Sequence, residues 1–108
     1  MSRTTTFSMD VQANGHGAVA AVRGEVDISN AAELTLRLEG AARSAGDGGL
    51  TVDLSDLRYM DSSGLRSLLT VHNGHPETRL VVRTGTLVAR IIAVSGLKEV
   101  IEVQAIQQ

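Results

Sequence analysis

The chain has 108 residues and a formal net charge of -2 at pH 7, which suits one domain rather than two. It has no cysteine, so disulfides, thiolate metal sites and cysteine nucleophiles are excluded. With no tryptophan, one tyrosine and one phenylalanine, binding by base stacking is disfavoured. Without a basic stripe or an apolar run of about 18 residues, we expect a soluble cytoplasmic domain that binds neither nucleic acid nor a membrane.

The first predicted elements form a β-hairpin. Apolar and polar residues alternate over residues 7–12, which is typical of a strand with one buried face. A glycine-rich turn over residues 14–17 leads to a second strand over residues 18–23, which we expect to end at Gly24.

A helix is predicted next, from about residue 30 to residue 45. Asn30 and Glu33 have the spacing of a capping box, with Asn30 at the cap. One apolar stripe should face the core; it contains Ala31, Leu34, Leu38, Ala41, Ala42 and Ala45. Glycines within residues 46–49 end the helix, and a third strand is predicted over residues 50–54.

The second half of the chain alternates helices and strands. Residues 55–61 are expected to be a connection, followed by a helix over residues 63–73. Its predicted buried side chains are Leu65, Leu68, Leu69 and His72. A fourth strand at residues 80–83, a third helix at residues 86–94 and a final strand at residues 100–106 follow. The third helix should turn three side chains inward: Leu87, Ile91 and Val94.

This order predicts an α/β fold. We expect a small mixed sheet of about five strands, mostly parallel, with three helices mainly on one face. The alternation in the first, third and last strands favours one open sheet face, because strands buried on both faces are continuously apolar. The whole chain, residues 1–108, is predicted to be a single domain with a core over about residues 7–106.

Two loops should meet at the carboxyl edge of the parallel strands, where ligands of such sheets usually bind. They are residues 24–29 and residues 59–65, and both contain acidic residues and serines. In the second loop Asp61 and Ser62 precede a helix, and Asp and Ser are the favoured N-cap residues. A helix N-terminus also accommodates anions, so a phosphate on Ser62 at the cap could be held without unfolding.

A resemblance to a known family lies at residues 60–65, where MDSSGL is similar to the phosphorylation motif of STAS-domain anti-sigma factor antagonists. Three more segments resemble the family in the same order: residues 24–27, residues 52–57 and residues 95–97. Together the matching segments extend over about residues 19–103. The chain is thereby identified as a member of this family, with the STAS fold as the implied architecture.

The resemblance implies a partner-switching protein. The unphosphorylated form would bind an anti-sigma factor, which then releases its sigma factor. The anti-sigma factor would be a serine kinase that phosphorylates Ser62, and a serine phosphatase would restore the binding form. Ser63 is the less favoured acceptor, and Asp27 matches the family's acidic loop residue. Around Ser62 we expect a partner-binding surface of Glu25, Asp27, Met60, Asp61, Ser63, Gly64, Leu65 and Arg66.

The resemblance implies no catalytic residue, no cofactor and no metal. Many family members have a further C-terminal helix, which we expect to be missing or reduced here because Gln108 follows soon after the last strand. Any contact or oligomer that uses that helix is then in doubt.

Two other functions are compatible with parts of the sequence. A STAS scaffold or ligand-sensing module of a larger signalling assembly would keep the fold without the phosphorylation switch. An enzyme is disfavoured, because Gly-x-Ser-x-Gly and a P-loop are absent. His72 follows Ser62 by ten residues along a helix, which corresponds to roughly 15 Å of axial rise.

Overall fold

A sheet with one antiparallel edge strand organises the chain. The computed structural model describes residues 5–107. The run of threonines at residues 4–6 predicts a frayed terminus; Thr4 lies outside the described residues, whereas Thr5 is held by hydrogen bonds to Asp27 and Asn30, so the prediction is wrong for Thr5. The strands are β1 Phe7–Ala13, β2 Ala18–Val26, β3 Leu50–Asp53, β4 Leu57–Met60, β5 Arg79–Arg83 and β6 Glu102–Ile106. The helices are α1 Ala31–Arg43, α2 Ser62–Gly74 and α3 Leu87–Ser95. Short 3-10 turns occur at Gly46–Gly48 and Leu97–Glu99.

The strand order is β1-β2-β3-β5-β6, and β4 pairs with β2 beyond the end of β3. The β1–β2 pair is antiparallel, and the other pairs are parallel. Each crossover therefore adds its strand on the same side of the preceding one. Right-handed crossovers then place every helix on one face. The predicted fold class is confirmed, with six strands instead of about five.

The sixth strand is β4, in a segment predicted as a connection. Three of its four residues pair with the end of β2, and among the described strands β4 pairs with no other. Arg58 and Tyr59 are exposed in its middle, so its sequence lacks the alternation that identifies a strand. The prediction that β2 ends at Gly24 was also wrong. β2 runs to Val26, with a register shift after Gly24, whose φ of 103° suits glycine.

The core lies between the helices and one face of the sheet. α1 contacts β2 and β3, α2 contacts β4, and α3 contacts β4 and β5. Alternate strand residues are buried with them: Ala20, Val22, Leu50, Val52, Leu80 and Val82. The helices contribute Leu34, Leu38, Leu68, Val71, Val88 and Ile92.

The other sheet face is polar and carries a row of ion pairs. Asp10 Oδ2 lies 3.0 Å from Arg23 Nη1, and Arg23 Nε lies 3.9 Å from Asp56 Oδ2. Asp56 Oδ1 in turn lies 3.3 Å from Arg83 Nη2. Exposed pairs of this kind contribute about 0–1 kcal/mol each. They mark this face as the one that meets water, as the alternation in the sequence predicts.

The buried side of α2 differs from the prediction. Leu68 and Val71 are buried as core residues, but Leu69 is 36% exposed, and Leu65 and His72 are half-buried. The side chain that replaces Leu69 in the interface is Ser67. Its hydroxyl donates to Ala31 O at 2.9 Å and accepts from Thr35 Oγ1 at 2.8 Å. A satisfied serine lets α1 approach closely, which an apolar periodicity cannot reveal.

The orientation predicted for α3 was wrong. Val88 and Ile92 are buried, whereas Leu87 is exposed, Val94 is 80% exposed and Ile91 is half-buried. The sequence of α3 is apolar on several sides, so two overlapping stripes fit a 3.6-residue period. Thr86 is the cap rather than part of the helix, since its Oγ1 accepts from Ala89 N at 3.1 Å.

Replacing Leu68 by alanine should lower the free energy of unfolding by about 2–4 kcal/mol, because it leaves a cavity beneath α2. Leu68 is 1% exposed. Urea denaturation of the full chain measures the effect. The matched control is Leu69→Ala on the same helix, which should cost less than about 1 kcal/mol. Equal losses for the two variants would contradict the orientation of α2.

Candidate functional site

The pairing of β2 with β4 brings the two predicted loops together. Val26 and Met60 are register partners at the ends of these parallel strands, and Asp61 N donates to Val26 O at 3.3 Å. Asp27 directly follows Val26, and Asp61 directly follows Met60. Neighbouring strands lie about 4.8 Å apart. Two carboxylate-bearing loops therefore share one edge of the sheet. We call residues 25–30 and residues 61–66 together the edge site.

Asp61 caps α2. Its backbone is extended, with φ −106° and ψ −166°, and its Oδ1 accepts from Ser63 N at 2.9 Å. The expectation that Ser62 occupies the cap is corrected by one position, because Ser62 is the first helical residue. Asp61 takes the cap because its carboxylate satisfies a free N–H group of the first turn.

Ser62 is exposed and its hydroxyl is available. Within residues 5–107 its side chain makes no hydrogen bond. The neighbouring Ser63 is half-buried, and Arg66 is exposed one turn further along α2. The hydroxyl can therefore react or bind without breaking an internal contact.

Gly64 and Met60 support the edge site from below. Both are buried, with Met60 1% exposed. A Cβ on Gly64 would lie 2.6 Å from Met60 Cγ, so the first turn of α2 rests directly on this methionine. We predicted that both residues belong to a partner-binding surface. The structure instead places them in the core, where their contact sets the position of the first turn of α2, and so of Ser62, relative to the sheet.

The loop after β2 is held by a network around Asp27. Asp27 Oδ2 accepts from Thr5 Oγ1 at 2.8 Å, and Asp27 Oδ1 accepts from the amide and the hydroxyl of Ser29. The hydrogen bonds from the Ser29 hydroxyl, then from Thr5 and from the Ser29 amide, hold the pKa of the Asp27 carboxyl below its ordinary value. Asp27 is therefore a fixed negative charge at neutral pH.

Asn30 is the residue that the sequence reasoning misread. It precedes α1, but its side chain makes no cap hydrogen bond and faces back into the loop. Its Oδ1 accepts from Asp27 N at 3.0 Å, and its Nδ2 donates to Glu25 O at 3.0 Å and to Thr5 O at 3.1 Å. The predicted capping box with Glu33 is absent. A buried asparagine with both ends satisfied locks this loop, and Asn at a helix start gave no signal of that role.

Glu25 lies within β2 rather than in the loop. Its Oε2 lies 3.6 Å from Arg58 Nη2, and its side chain is the less exposed of the two. Arg58 is thus an addition to the site that the sequence did not single out, since its segment was interpreted as a connection.

A groove of about 240 Å³ runs from the edge site between α1 and α2. Ile28 stands at its mouth and is 85% exposed. Ser63, Arg66 and Thr70 line the α2 side. Ile28 therefore adds exposed apolar surface to a groove that Ser63 and Arg66 also line. Ile28 is a residue that the sequence reasoning placed in the loop without assigning it a role.

Within residues 5–107 no group of three or more His, Asp or Glu side chains could hold a metal ion. Over the same residues no helix has the length and apolar character needed to cross a bilayer.

Comparison with known proteins gives one family and several structures. A family model described as "Mlab, STAS domain" matches residues 9–103. The crystal structure of an anti-sigma factor antagonist from Mycobacterium paratuberculosis is similar with a TM-score of 0.78 at 22% identity, over 96% of this chain and 90% of that one. The structure of the anti-sigma factor antagonist SpoIIAA in its unphosphorylated form is similar with a TM-score of 0.70 at 18% identity, over 94% of this chain and 88% of that one.

A DUF3478-family protein from Shewanella loihica, described as having a SpoIIAA-like fold, gives a TM-score of 0.60 at 14% identity, over 98% of this chain and 89% of that one. At these identities the structural likeness establishes a shared fold.

The Asp27 network makes a prediction about pH. Ser29→Ala should raise the Asp27 titration midpoint toward the ordinary aspartate value, measured by carboxyl NMR on the full chain. Because the folded pKa is lowered, the stabilisation is fully present above the unfolded pKa and is lost as pH falls through the folded pKa. The stability difference between wild type and Ser29→Ala should therefore shrink in that acidic window. Ser8→Ala on exposed β1 is the control, and an Asp27 midpoint that is the same in Ser29→Ala and wild type would contradict the assignment.

Proposed function

The chain belongs to the STAS domain family, and from that premise we propose that it is an anti-sigma factor antagonist controlled by phosphorylation of Ser62. In this proposal the unphosphorylated form binds an anti-sigma factor that is also a serine kinase, and a sigma factor is released. Phosphorylation of Ser62 blocks that binding, and a serine phosphatase restores it. The protein acts by binding rather than by catalysis. The similarity to anti-sigma factor antagonists from Mycobacterium paratuberculosis and to SpoIIAA supports the general role.

The observation that carries the proposal is the position of the Ser62 hydroxyl. It is exposed at the first position of α2, and it makes no hydrogen bond within the described residues. Asp61 precedes it, and the fixed charge of Asp27 lies on the adjacent loop. A kinase can reach this hydroxyl without unfolding α2, because the helix is held by the Asp61 cap and by Gly64 on Met60.

Electrostatics then determine the outcome of phosphorylation. A phosphate adds about −1.5 to −2 charge units at neutral pH. Beside Asp61 and Asp27 this charge has no buried partner in an interface, and such a burial costs several kcal/mol. Arg66 is four residues along α2 and could attract the phosphate, but an exposed pair at this spacing contributes only about 0.3–0.5 kcal/mol. Repulsion and desolvation therefore exceed the local attraction, and a cost of about 3 kcal/mol weakens binding more than 100-fold.

The partner surface consists of the exposed part of the edge site. Asp61, Ser63 and Leu65 are half-buried, and Arg66 and Ile28 are exposed. In the proposal Ile28 provides the apolar anchor, because exposed apolar side chains that become buried dominate protein interfaces. Glu25 and Asp27 contribute charge at the rim.

The proposal predicts that folding and binding respond separately to changes at Ser62. Ser62→Asp should change the free energy of unfolding by less than about 1 kcal/mol, because a carboxylate in the first turn suits the helix dipole. The same variant should bind the anti-sigma factor much more weakly. Ser62→Ala should bind like wild type and accept no phosphate. Purified anti-sigma factor kinases with ATP, intact mass measurement and calorimetry provide the readouts.

Ser63→Ala is the matched control, since it removes the neighbouring hydroxyl and should still be phosphorylated. Enzymatically phosphorylated wild type is the decisive sample, because aspartate imitates phosphate imperfectly. Label on Ser62→Ala would show that another residue is the acceptor. Full binding by the phosphorylated protein would show that Ser62 lies outside the interface.

A further inference from the structure

A cavity of about 300 Å³, open to solvent on one side, lies between α3 and strands β5 and β6, and it shares no lining residue with the edge site. Val82, Ile92 and Val103 form its apolar floor. The space exists because the surrounding positions hold small side chains that end at Cβ, namely Ala89, Ala93 and Ala105. A larger residue at any of these positions would fill part of it.

The charges around this cavity have one sign. Arg90 and Lys98 line it, and none of the lining residues is acidic. Within residues 5–107 neither cation takes part in an ion pair. The row of ion pairs on the open sheet face differs in this respect, because Arg23 and Arg83 there are each paired with an aspartate. An apolar floor beneath two unmatched cations is complementary to an anion that carries an aliphatic chain.

A volume of about 300 Å³ lies at the lower end of the range for small-molecule pockets, which favours a short aliphatic chain. Octanoate, a carboxylate with eight carbons, is the probe that we choose for it.

We propose that this cavity binds a medium-chain fatty acid in its carboxylate form. The alkyl chain packs against Val82, Ile92 and Val103, and the carboxylate lies at Arg90 and Lys98. This inference does not depend on Ser62 or on an anti-sigma partner, and it gives the same domain a ligand-binding site between α3 and strands β5 and β6.

The first experiment titrates octanoate into the full-length ¹⁵N-labelled chain at neutral pH and follows amide shifts by NMR. A ligand this small should bind in about the millimolar range. We expect saturable shifts at Ala89, Ala93 and Val103. Octylammonium has the same chain and the opposite charge, so it should bind at least about threefold more weakly.

Three variants test the residues. Arg90→Gln should weaken octanoate binding by about three- to tenfold. Arg43→Gln is the control, because Arg43 is an exposed cation on α1 without an ion pair in the described part of the chain, and it should bind like wild type. Ala93→Leu should fill the cavity and abolish binding, with a melting curve that confirms a folded protein.

Several results would overturn the proposal. They are the absence of saturable shifts, equal binding of octylammonium and octanoate, and shifts centred on the edge site or the open sheet face. Sedimentation velocity supplies one more, because a dimer that forms through α3 and excludes octanoate would show that a second copy covers the cavity instead.

Discussion

The parallel pairing of three residues at the end of β2 with β4 is the constraint on which the edge site depends. It aligns Val26 with Met60 and so brings the next residue of each chain, Asp27 and Asp61, to the same edge. The break between β3 and β4 makes this possible. β3 pairs with the first part of β2, and after the break the chain pairs again, as β4, with the last part of β2. The contact between Met60 and Gly64 then sets how closely the first turn of α2 approaches the sheet.

Polar side chains also hold the two loops in place. Asn30 satisfies two backbone groups of the first loop and the carbonyl of Thr5, and Asp61 satisfies one backbone group of the second loop. A buried amide with satisfied donors and acceptor specifies one loop conformation, since any other would leave polar groups without partners. Within the proposed function, such a frame lets a modification change the charge of the surface while the backbone remains in place.

The sequence was a good guide where each pattern had only one structural solution. The alternating strands, the glycine-rich stops and the Asp-Ser-Ser-Gly segment at a helix start predicted the fold class and placed Ser62 correctly to within one residue of the cap. β4 was missed because exposed Arg58 and Tyr59 interrupt its alternation. The orientation of α3 was missed because Leu87 and Val88 both belong to plausible apolar stripes. Asn30 was misread because asparagine suits both a helix cap and a side chain that hydrogen-bonds the preceding loop. Only the direction of the side chain distinguishes the two roles, and the sequence does not give that direction.

The pairing of β4 with a single neighbour also determines which contacts hold this strand in the fold. Within the described strands, β4 has a ladder only with β2, whereas β3 lies between two neighbours. Separating β4 and the first turn of α2 therefore leaves the β2–β3–β5–β6 ladders intact. Leu57 and Met60 of β4 are buried and α3 packs against this strand, so such a separation would also expose part of the core. The Ser62 hydroxyl therefore follows a strand that is held by backbone hydrogen bonds on one side and by core packing on its buried face.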